Sequence, residues 1–177
     1  VYGGIHATLY PEEAFTYGAA DSVVTGDGEV AWGQLLRDHG EGRAERVYAG
    51  GGLAPEALSP ARWDLVPRGR YLVGCVQTVR GCPKHCSFCS VWRTDGQEPR
   101  QRGVDGVIRE IVELRRRGFR FIALADDNFY PVTLGDLEQA RRRADHARLD
   151  TLQALRDERF ALMAELARLP DDMVFYT

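Results

Sequence analysis

Apolar and polar positions alternate in two ways along the first 49 residues. Short apolar runs predict strands, and stretches with apolar residues at helical spacing predict helices. The predicted order is strand 1–5, helix 11–15, strand 22–25, helix 29–39 and strand 46–49. Strands that alternate with helices are typical of a parallel α/β domain. We therefore expect these residues to form the last third of such a domain.

Residues 50–67 carry no helical or strand periodicity. They contain three consecutive glycines and three prolines, which is typical of a connection rather than an element. We expect an interdomain linker over residues 50–70. Within it, Trp63 and Leu65 are expected to dock on a neighbouring surface.

A second strand and helix alternation follows the linker. A strand is predicted over residues 71–79, a helix over 105–117 capped by Asp105, and a strand over 119–125. A cysteine-rich loop follows the first strand, and Asp126 and Asp127 follow the second. The carboxyl ends of parallel strands share one edge, so we expect the loop and the two carboxylates to be neighbours.

The last third of the chain is predicted to be mostly helical. Thr133 and Asp136 have the spacing of a capping box. An apolar stripe runs through residues 134–169 and predicts either one long helix or two helices with a break near Asp150. Pro170 ends the stretch, and residues 173–177 resemble the beginning of a strand. Because residues 1–4 resemble the end of one, we expect a segment of a longer protein that exposes a sheet edge when isolated.

Composition limits the classes of partner. A net charge of −3 gives no reason to expect nucleic acid. The longest apolar runs, such as residues 121–125, are far shorter than the roughly 20 residues of a membrane span. The sequence shows no signal peptide. Three of the four cysteines are clustered, which favours a metal site in a reducing cytoplasm over a disulfide framework.

The cluster is Cys82-x3-Cys86-x2-Cys89, with Phe88 directly before the last cysteine. Three thiolates on one short loop can converge on one metal centre, one ligand short of a closed site. Zinc is the alternative, with Cys75 or His85 as the fourth ligand. We expect Cys75 to be a buried small hydrophobic residue, because it lies inside an apolar strand.

This loop, placed between a strand and a βα unit, resembles that of the radical S-adenosylmethionine (SAM) superfamily. Upstream, the segments 3–8, 11–13 and 26–29 are similar to the back half of a cobalamin-binding domain fused to such enzymes, although Asp27 stands where Glu is usual. The resemblance runs from residue 1 to about residue 132. It implies an α/β fold with the end of a Rossmann-like cobalamin domain (1–49), a linker (50–70) and the first βα units of a partial (β/α)6 barrel (71–177).

The resemblance also implies cofactors and ligands. Cys82, Cys86 and Cys89 would hold a 4Fe-4S cluster, and the amino and carboxylate groups of SAM would bind its open iron. The reduced cluster would cleave SAM to a 5′-deoxyadenosyl radical. The remaining implied contacts are a SAM amino group held at Asp126 and Asp127, an adenine beside Phe88, and cobalamin against Gly3, Gly4 and Gly28.

The implied activity is methyl transfer to an unactivated carbon of a small molecule or peptide, with a reductant such as flavodoxin or ferredoxin. Two alternatives stay open at this point. One is a cobalamin-dependent radical oxidation or cyclisation of a tetrapyrrole-like substrate. The other is a non-catalytic iron–sulfur or zinc module.

Overall fold

The computed structural model describes residues 1–177 and has an α/β architecture with parallel sheets, as predicted. The helices are Ile5–Leu9 (α1), Pro11–Thr16 (α2), Gly28–Gly40 (α3), Val91–Thr94 (α4), Val104–Arg116 (α5), Leu134–Arg142 (α6) and His146–Leu166 (α7). The strands are Val23–Thr25 (β1), Val47–Ala49 (β2), Val73–Val76 (β3), Val79–Arg80 (β4), Arg100–Gln101 (β5), Phe121–Leu124 (β6) and Val174–Tyr176 (β7).

The chain forms two compact units. The first unit comprises Val1–Ala57 and Gly81–Glu98, and the second comprises Leu58–Arg80 and Pro99–Thr177. The cysteine loop is thus part of the first unit, although it lies beyond the predicted linker in sequence. The assignment of residues 1–49, 50–70 and 71–177 to a cobalamin domain, a linker and a barrel stays a prediction.

The first unit is built on a parallel pair of strands, β1 and β2, in which Val23 lies opposite Val47. Tyr2 adds a single parallel bridge to Val23. The strand predicted over residues 1–5 was therefore too long, because α1 already begins at Ile5. Two small buried clusters hold the unit together, and their members are Val24, Ala31, Leu35 and Tyr48 in one and Ala7, Ala14 and Val23 in the other.

The second unit contains a parallel sheet in the order β3-β6-β7. Val76 and Ile122 are fully buried on its inner face against α5, which contributes Val107, Ile111 and Leu114 to the core. A Cβ added to Gly74 would lie 3.2 Å from side-chain atoms of both Ile122 and Leu114. Glycine at this position therefore lets α5 pack close to the sheet.

The outer face of the same sheet is not covered within the chain. Alternate residues of a strand point to opposite faces, and those of the outer face include the exposed side chains of Phe121, Val174 and Tyr176. Cys75 lies on this face and is exposed. The expectation that Cys75 is buried was wrong, because the strand is apolar on both faces and only one of them is packed.

The strand predicted over residues 71–79 is two strands. It breaks after Val76, and β4 turns away from the sheet to pair antiparallel with β5. The break occurs where the backbone amides of Thr78 and Val79 donate to the Asp126 carboxylate instead of continuing a ladder. A side chain distant in sequence therefore decides where this strand ends.

One of the two predicted helix caps agrees with the structure. The Thr133 and Asp136 capping box at the start of α6 is confirmed. The break between α6 and α7 lies at residues 143–145 rather than near Asp150, with Ala144 in the left-handed region and Asp145 capping α7. Gly103, not Asp105, is the N-cap of α5.

Of the two linker residues predicted to dock on a neighbouring surface, one does so. Trp63 packs against the core of the second unit, 5.7 Å from the Phe119 ring, and its indole N–H donates to Glu110 at 2.8 Å. Leu65 is exposed, so its predicted docking was wrong. None of the helices has the combination of length and apolar character that crossing a membrane requires.

Candidate functional site

The cysteine loop is closed at its base by backbone contacts. Gly81 has a φ of 89°, and a Cβ there would lie 2.8 Å from the Glu98 carbonyl oxygen. The backbone N–H of Cys82 donates to the Gly96 carbonyl at 3.1 Å. Glycine is needed at position 81 because the chain both turns left-handed and approaches another backbone. The loop therefore returns to its own starting point.

The three cysteines of the loop occupy different positions on it. Cys86 and Cys89 share a turn in which the Cys89 N–H donates to the Cys86 carbonyl at 3.2 Å, and α4 follows directly. Cys86 is exposed, whereas Cys82 and Cys89 are half-buried, and none forms a disulfide. The structure contains no group of three His, Cys, Asp or Glu side chains in the arrangement of a metal site.

The donor set of this loop fits an iron–sulfur cluster with one open position. Thiolates are the ligands that such clusters take from proteins, and three reduced cysteines within eight residues supply three of them. Phe88 is 92% exposed beside them, so its ring face is available for stacking. The predicted ligands Cys82, Cys86 and Cys89 are thus on one loop, and their role stays a prediction.

Glycines follow each parallel segment of the first unit. Gly3 and Gly4 come after the Tyr2 bridge, Gly26 comes after β1, and Gly50 comes after β2. The carboxyl edge of a parallel sheet is where open α/β folds bind ligands. We call these positions, together with Gly28, the glycine edge.

The glycines of this edge divide into two kinds. A Cβ on Gly50 would lie 1.7 Å from the Asp27 carbonyl oxygen, and one on Gly26 would lie 2.8 Å from the Gly51 carbonyl oxygen. Gly4 and Gly28, by contrast, have open space where a Cβ would be. Gly26 and Gly50 therefore serve the fold, whereas Gly4 and Gly28 leave backbone accessible to a ligand.

Sequence reasoning missed the structural role of Asp27, Gly26 and Gly50. The buried Asp27 carboxylate accepts a bond of 2.5 Å from the Leu53 N–H, and the Asp27 N–H donates to the Gly51 carbonyl at 3.0 Å. The turn after β1 is thereby tied to the turn after β2. The run of glycines directly after a strand was the available signal, and it was interpreted as a linker.

The cysteine loop and the glycine edge belong to the same unit and are connected by a helix contact. Helix α1, which begins directly after Gly4, contacts α4, which begins two residues after Cys89. The two segments that the sequence assigned to different cofactors therefore lie in the same compact unit.

Asp126 is fully buried at its side chain. Its carboxylate accepts bonds from the Thr78 N–H at 2.5 Å, the Val79 N–H at 2.9 Å and the Thr78 hydroxyl at 2.5 Å. These residues lie directly before the cysteine loop along the chain. The geometry gives Asp126 the task of fixing the strand end from which that loop departs.

Arg159 of α7 completes the buried network. Its guanidinium donates to the Thr78 hydroxyl at 2.6 Å and to Gln101 at 2.9 Å, and lies 4.0 Å from the Asp126 carboxylate. Burial lowers the pKa of Arg159, and the charge of Asp126 partly opposes that shift. The nearby Phe129 ring lies 4.9 Å from the guanidinium carbon.

Arg159 was not among the residues singled out from the sequence. Its position on α7 was the available signal, because it interrupts an apolar stripe of helical spacing formed by Leu152, Leu155, Leu162 and Leu166. A charged residue on a buried stripe needs a partner. Asp127, beside Asp126, is half-buried. Both carboxylates belong to the second unit, so their predicted proximity to the cysteines stays a prediction.

No family model matches the chain. An uncharacterized methyltransferase of Pyrococcus horikoshii is 31% identical over an alignment that covers 73% of this chain and 33% of the relative. The bacteriochlorophyllide d C-12(1)-methyltransferase of Chlorobaculum tepidum is 29% identical over 71% of this chain and 29% of the relative. The chain therefore spans about a third of the length of these curated relatives.

Among solved structures, the chain is similar to TsrM of Kitasatospora setae, a radical SAM methyltransferase. One TsrM structure, with tryptophan and a SAM analogue bound, gives a TM-score of 0.58 at 24% identity over 81% of this chain and 33% of TsrM. Another, with cobalamin and a [4Fe-4S] cluster bound, gives a TM-score of 0.58 at 20% identity, over 82% of this chain and 34% of TsrM. The resemblance inferred from the cysteine loop is confirmed in fold, and the sequence relatives carry methyltransferase names.

Proposed function

We propose that the protein is a cobalamin-dependent radical SAM enzyme that transfers a methyl group to an unactivated carbon of a small molecule. The observation that carries the proposal is the first unit, in which the Cys82, Cys86 and Cys89 loop and the glycine edge are held together through α1 and α4. The methyltransferase names of the relatives and the fold shared with TsrM support it.

The residues of the loop would bind two of the groups. Cys82, Cys86 and Cys89 would ligate three irons of a 4Fe-4S cluster and leave the fourth to the amino and carboxylate groups of SAM. The exposed Phe88 ring would lie beside the adenine. When bound, the cluster, SAM and cobalamin together supply reductive cleavage of SAM and transfer of a methyl group.

The two carboxylates after β6 have different tasks in this proposal. Asp127 would accept hydrogen bonds from the SAM ammonium group, which a carboxylate does well. Asp126 acts as a positioning residue, since its oxygens already accept bonds from Thr78 and Val79. Asp126 therefore holds the backbone that leads into the cysteine loop.

The glycine edge would bind cobalamin. Gly3, Gly4 and Gly28 have no side chain to obstruct the cofactor, and the space at Gly4 and Gly28 is open. Positive φ at Gly4 also keeps the chain turned ahead of α1. The backbone of this edge can then approach the cofactor closely.

The environment and partners follow from the same chemistry. Because a 4Fe-4S cluster on cysteine thiolates requires a reducing compartment, we propose a cytoplasmic location and a one-electron donor such as flavodoxin or ferredoxin. The substrate class is a small molecule, as tryptophan is in the TsrM structure. A tetrapyrrole is the second candidate, because one relative is named a bacteriochlorophyllide methyltransferase.

Anaerobic reconstitution of the full-length protein with iron and sulfide tests the proposal. We expect a reduced cluster whose EPR spectrum changes on addition of SAM, and cobalamin retained after purification. A cluster spectrum that SAM leaves unchanged would favour a non-catalytic iron–sulfur module. Zinc in place of iron after metal analysis of anaerobically purified protein would favour a zinc module.

A further inference from the structure

The cysteine loop contains an aromatic pair that the proposed function does not use. The rings of His85 and Trp92 have centroids 3.8 Å apart with planes inclined by 37°. Trp92 lies on α4, the short helix that follows Cys89. His85 directly precedes Cys86, so the pair connects the helix to the middle of the cysteine motif.

The same indole also contacts the backbone of Cys86. The Trp92 indole N–H donates to the Cys86 carbonyl at 3.3 Å, and the Cys89 backbone N–H donates to that oxygen at 3.2 Å. Trp92 therefore contacts two consecutive residues. Its ring packs against the His85 ring, and its indole N–H donates to the Cys86 carbonyl.

Cys86 is the cysteine of the motif for which such support matters most. Its side chain is exposed, whereas those of Cys82 and Cys89 are half-buried. Orienting the peptide of a ligand residue orients its side chain, and outer contacts of this kind tune metal sites. A ring packed beside an exposed ligand also limits the access of water and chelators.

We propose that Trp92 is a positioning residue for the Cys86 ligand of the iron–sulfur cluster, with its ring held by His85. The inference rests on the proposed function, because it assigns Cys86 to a cluster. Trp92 acts through the Cys86 carbonyl and does not itself touch the metal. Its two contacts are separable, since one uses the indole N–H and the other uses the ring.

Two variants of the full-length protein separate these contacts. Trp92→Phe keeps an aromatic ring against His85 and removes the N–H donor. His85→Ala keeps the donor and removes the ring partner. Trp32→Phe is the matched control, because Trp32 is a partly exposed tryptophan on α3. All are reconstituted anaerobically and compared by circular dichroism before use.

The first readout is the loss of iron to a chelator, together with the EPR spectrum of the reduced cluster without SAM. A single hydrogen bond is worth a factor of roughly two to ten in an equilibrium. We therefore expect Trp92→Phe to lose iron roughly two- to tenfold faster and to shift the cluster's EPR g values. His85→Ala should accelerate iron loss less, and Trp32→Phe should match the wild type.

The second readout needs no cluster. Metal-free protein is treated with iodoacetamide, and the alkylation rate of each cysteine is followed by mass spectrometry. Trp92→Phe should alkylate Cys86 faster, with the rate at Cys82 unchanged. Equal rates at Cys86 in Trp92→Phe and the wild type, or identical iron loss and EPR spectra, would overturn the inference.

The outcomes also distinguish the inference from the proposed function. A wild-type protein that takes up no iron would refute the cluster, and with it the assignment of Trp92 to a cluster ligand. A wild type that takes up a cluster, with a Trp92→Phe variant that behaves identically, would refute the role of Trp92 alone. In the first of these cases, a Cys86 alkylation rate that differs between Trp92→Phe and the wild type would still support the contact between Trp92 and the Cys86 backbone.

Discussion

The cysteine loop and the network around Asp126 are two polar clusters with opposite surroundings. The loop presents Cys86 and Phe88 to solvent. The network buries Thr78, Gln101, Asp126 and Arg159 and bonds them to one another. Buried polar side chains that hydrogen-bond to one another stabilise the fold, whereas exposed thiols and rings are accessible to a bound cofactor. The residues of the loop are therefore the better candidates for direct cofactor contact.

Removing a cysteine of the loop should have the largest effect. Replacing Cys82, Cys86 or Cys89 by Ala leaves two thiolates, which is too few for a stable site-differentiated cluster. We expect iron content after reconstitution to fall close to zero in each variant, measured by metal analysis. Cys75→Ala should retain the wild-type iron content because Cys75 lies on the open sheet face of the second unit. Loss of iron in Cys75→Ala would instead indicate a four-cysteine site.

Removing Arg159 tests how much the buried network around Asp126 contributes to stability. Arg159→Met leaves Asp126 charged and buried without its counter-ion, which costs about 3–5 kcal/mol in comparable cases. Urea unfolding followed by tryptophan fluorescence measures this loss, and Trp63 is the tryptophan that packs in the core of the second unit. Arg148→Met, at an exposed position of the same helix, should change stability by less than about 0.5 kcal/mol. A similar loss in both variants would show that the network contributes little.

The two kinds of glycine on the glycine edge should respond differently to Ala. In Gly50→Ala, the Cβ would collide with the Asp27 carbonyl, and we expect a loss of about 3 kcal/mol in unfolding free energy. Gly28→Ala should leave stability unchanged, because its Cβ meets open space in the first turn of a helix. Cobalamin content after purification should nevertheless fall in Gly28→Ala. Full retention in that variant would remove Gly28 from the proposed cofactor contact.

The adjacent carboxylates give the smallest and most selective contrast. Asp126→Asn keeps an oxygen that can accept from the Thr78 and Val79 N–H groups, and Arg159 stays bonded to Thr78 and Gln101, so we expect a smaller loss of about 1–3 kcal/mol in unfolding free energy. Asp127→Asn should leave stability nearly unchanged and weaken SAM binding, measured by titrating the EPR change. If Asp126→Asn weakens SAM binding at unchanged stability, the tasks of the two residues must be exchanged.

Local signals predicted much of the fold correctly. Features that depend only on residues close together in sequence were predicted. They are the hydrophobic periodicity of α3 and α5, the short strands β1, β2, β6 and β7, and the Thr133 capping box. The loop with its three cysteines was also evident, because ligand spacing is a local property of the sequence.

Features that depend on distant residues escaped prediction. The end of β3 is decided by Asp126, which lies 48 positions after Thr78. Cys75 is exposed because nothing in the chain covers the outer face of its strand. The glycine run after β2 was interpreted as a flexible linker, whereas its first residue is required by the backbone of Asp27. Each of these features depends on contacts between residues far apart in sequence. The hydrophobic periodicity of a single segment does not predict such contacts.

The bonds from Thr78 and Val79 to Asp126 also have a consequence for hydrogen exchange. Both amides lie at or beyond the end of the parallel ladder, where fraying normally allows fast exchange. Here they donate to a carboxylate that is itself sealed beneath Arg159 of α7. Their protons should exchange only when α7 separates from the sheet. The exchange rates of these two amides would therefore report how often the core of the second unit opens.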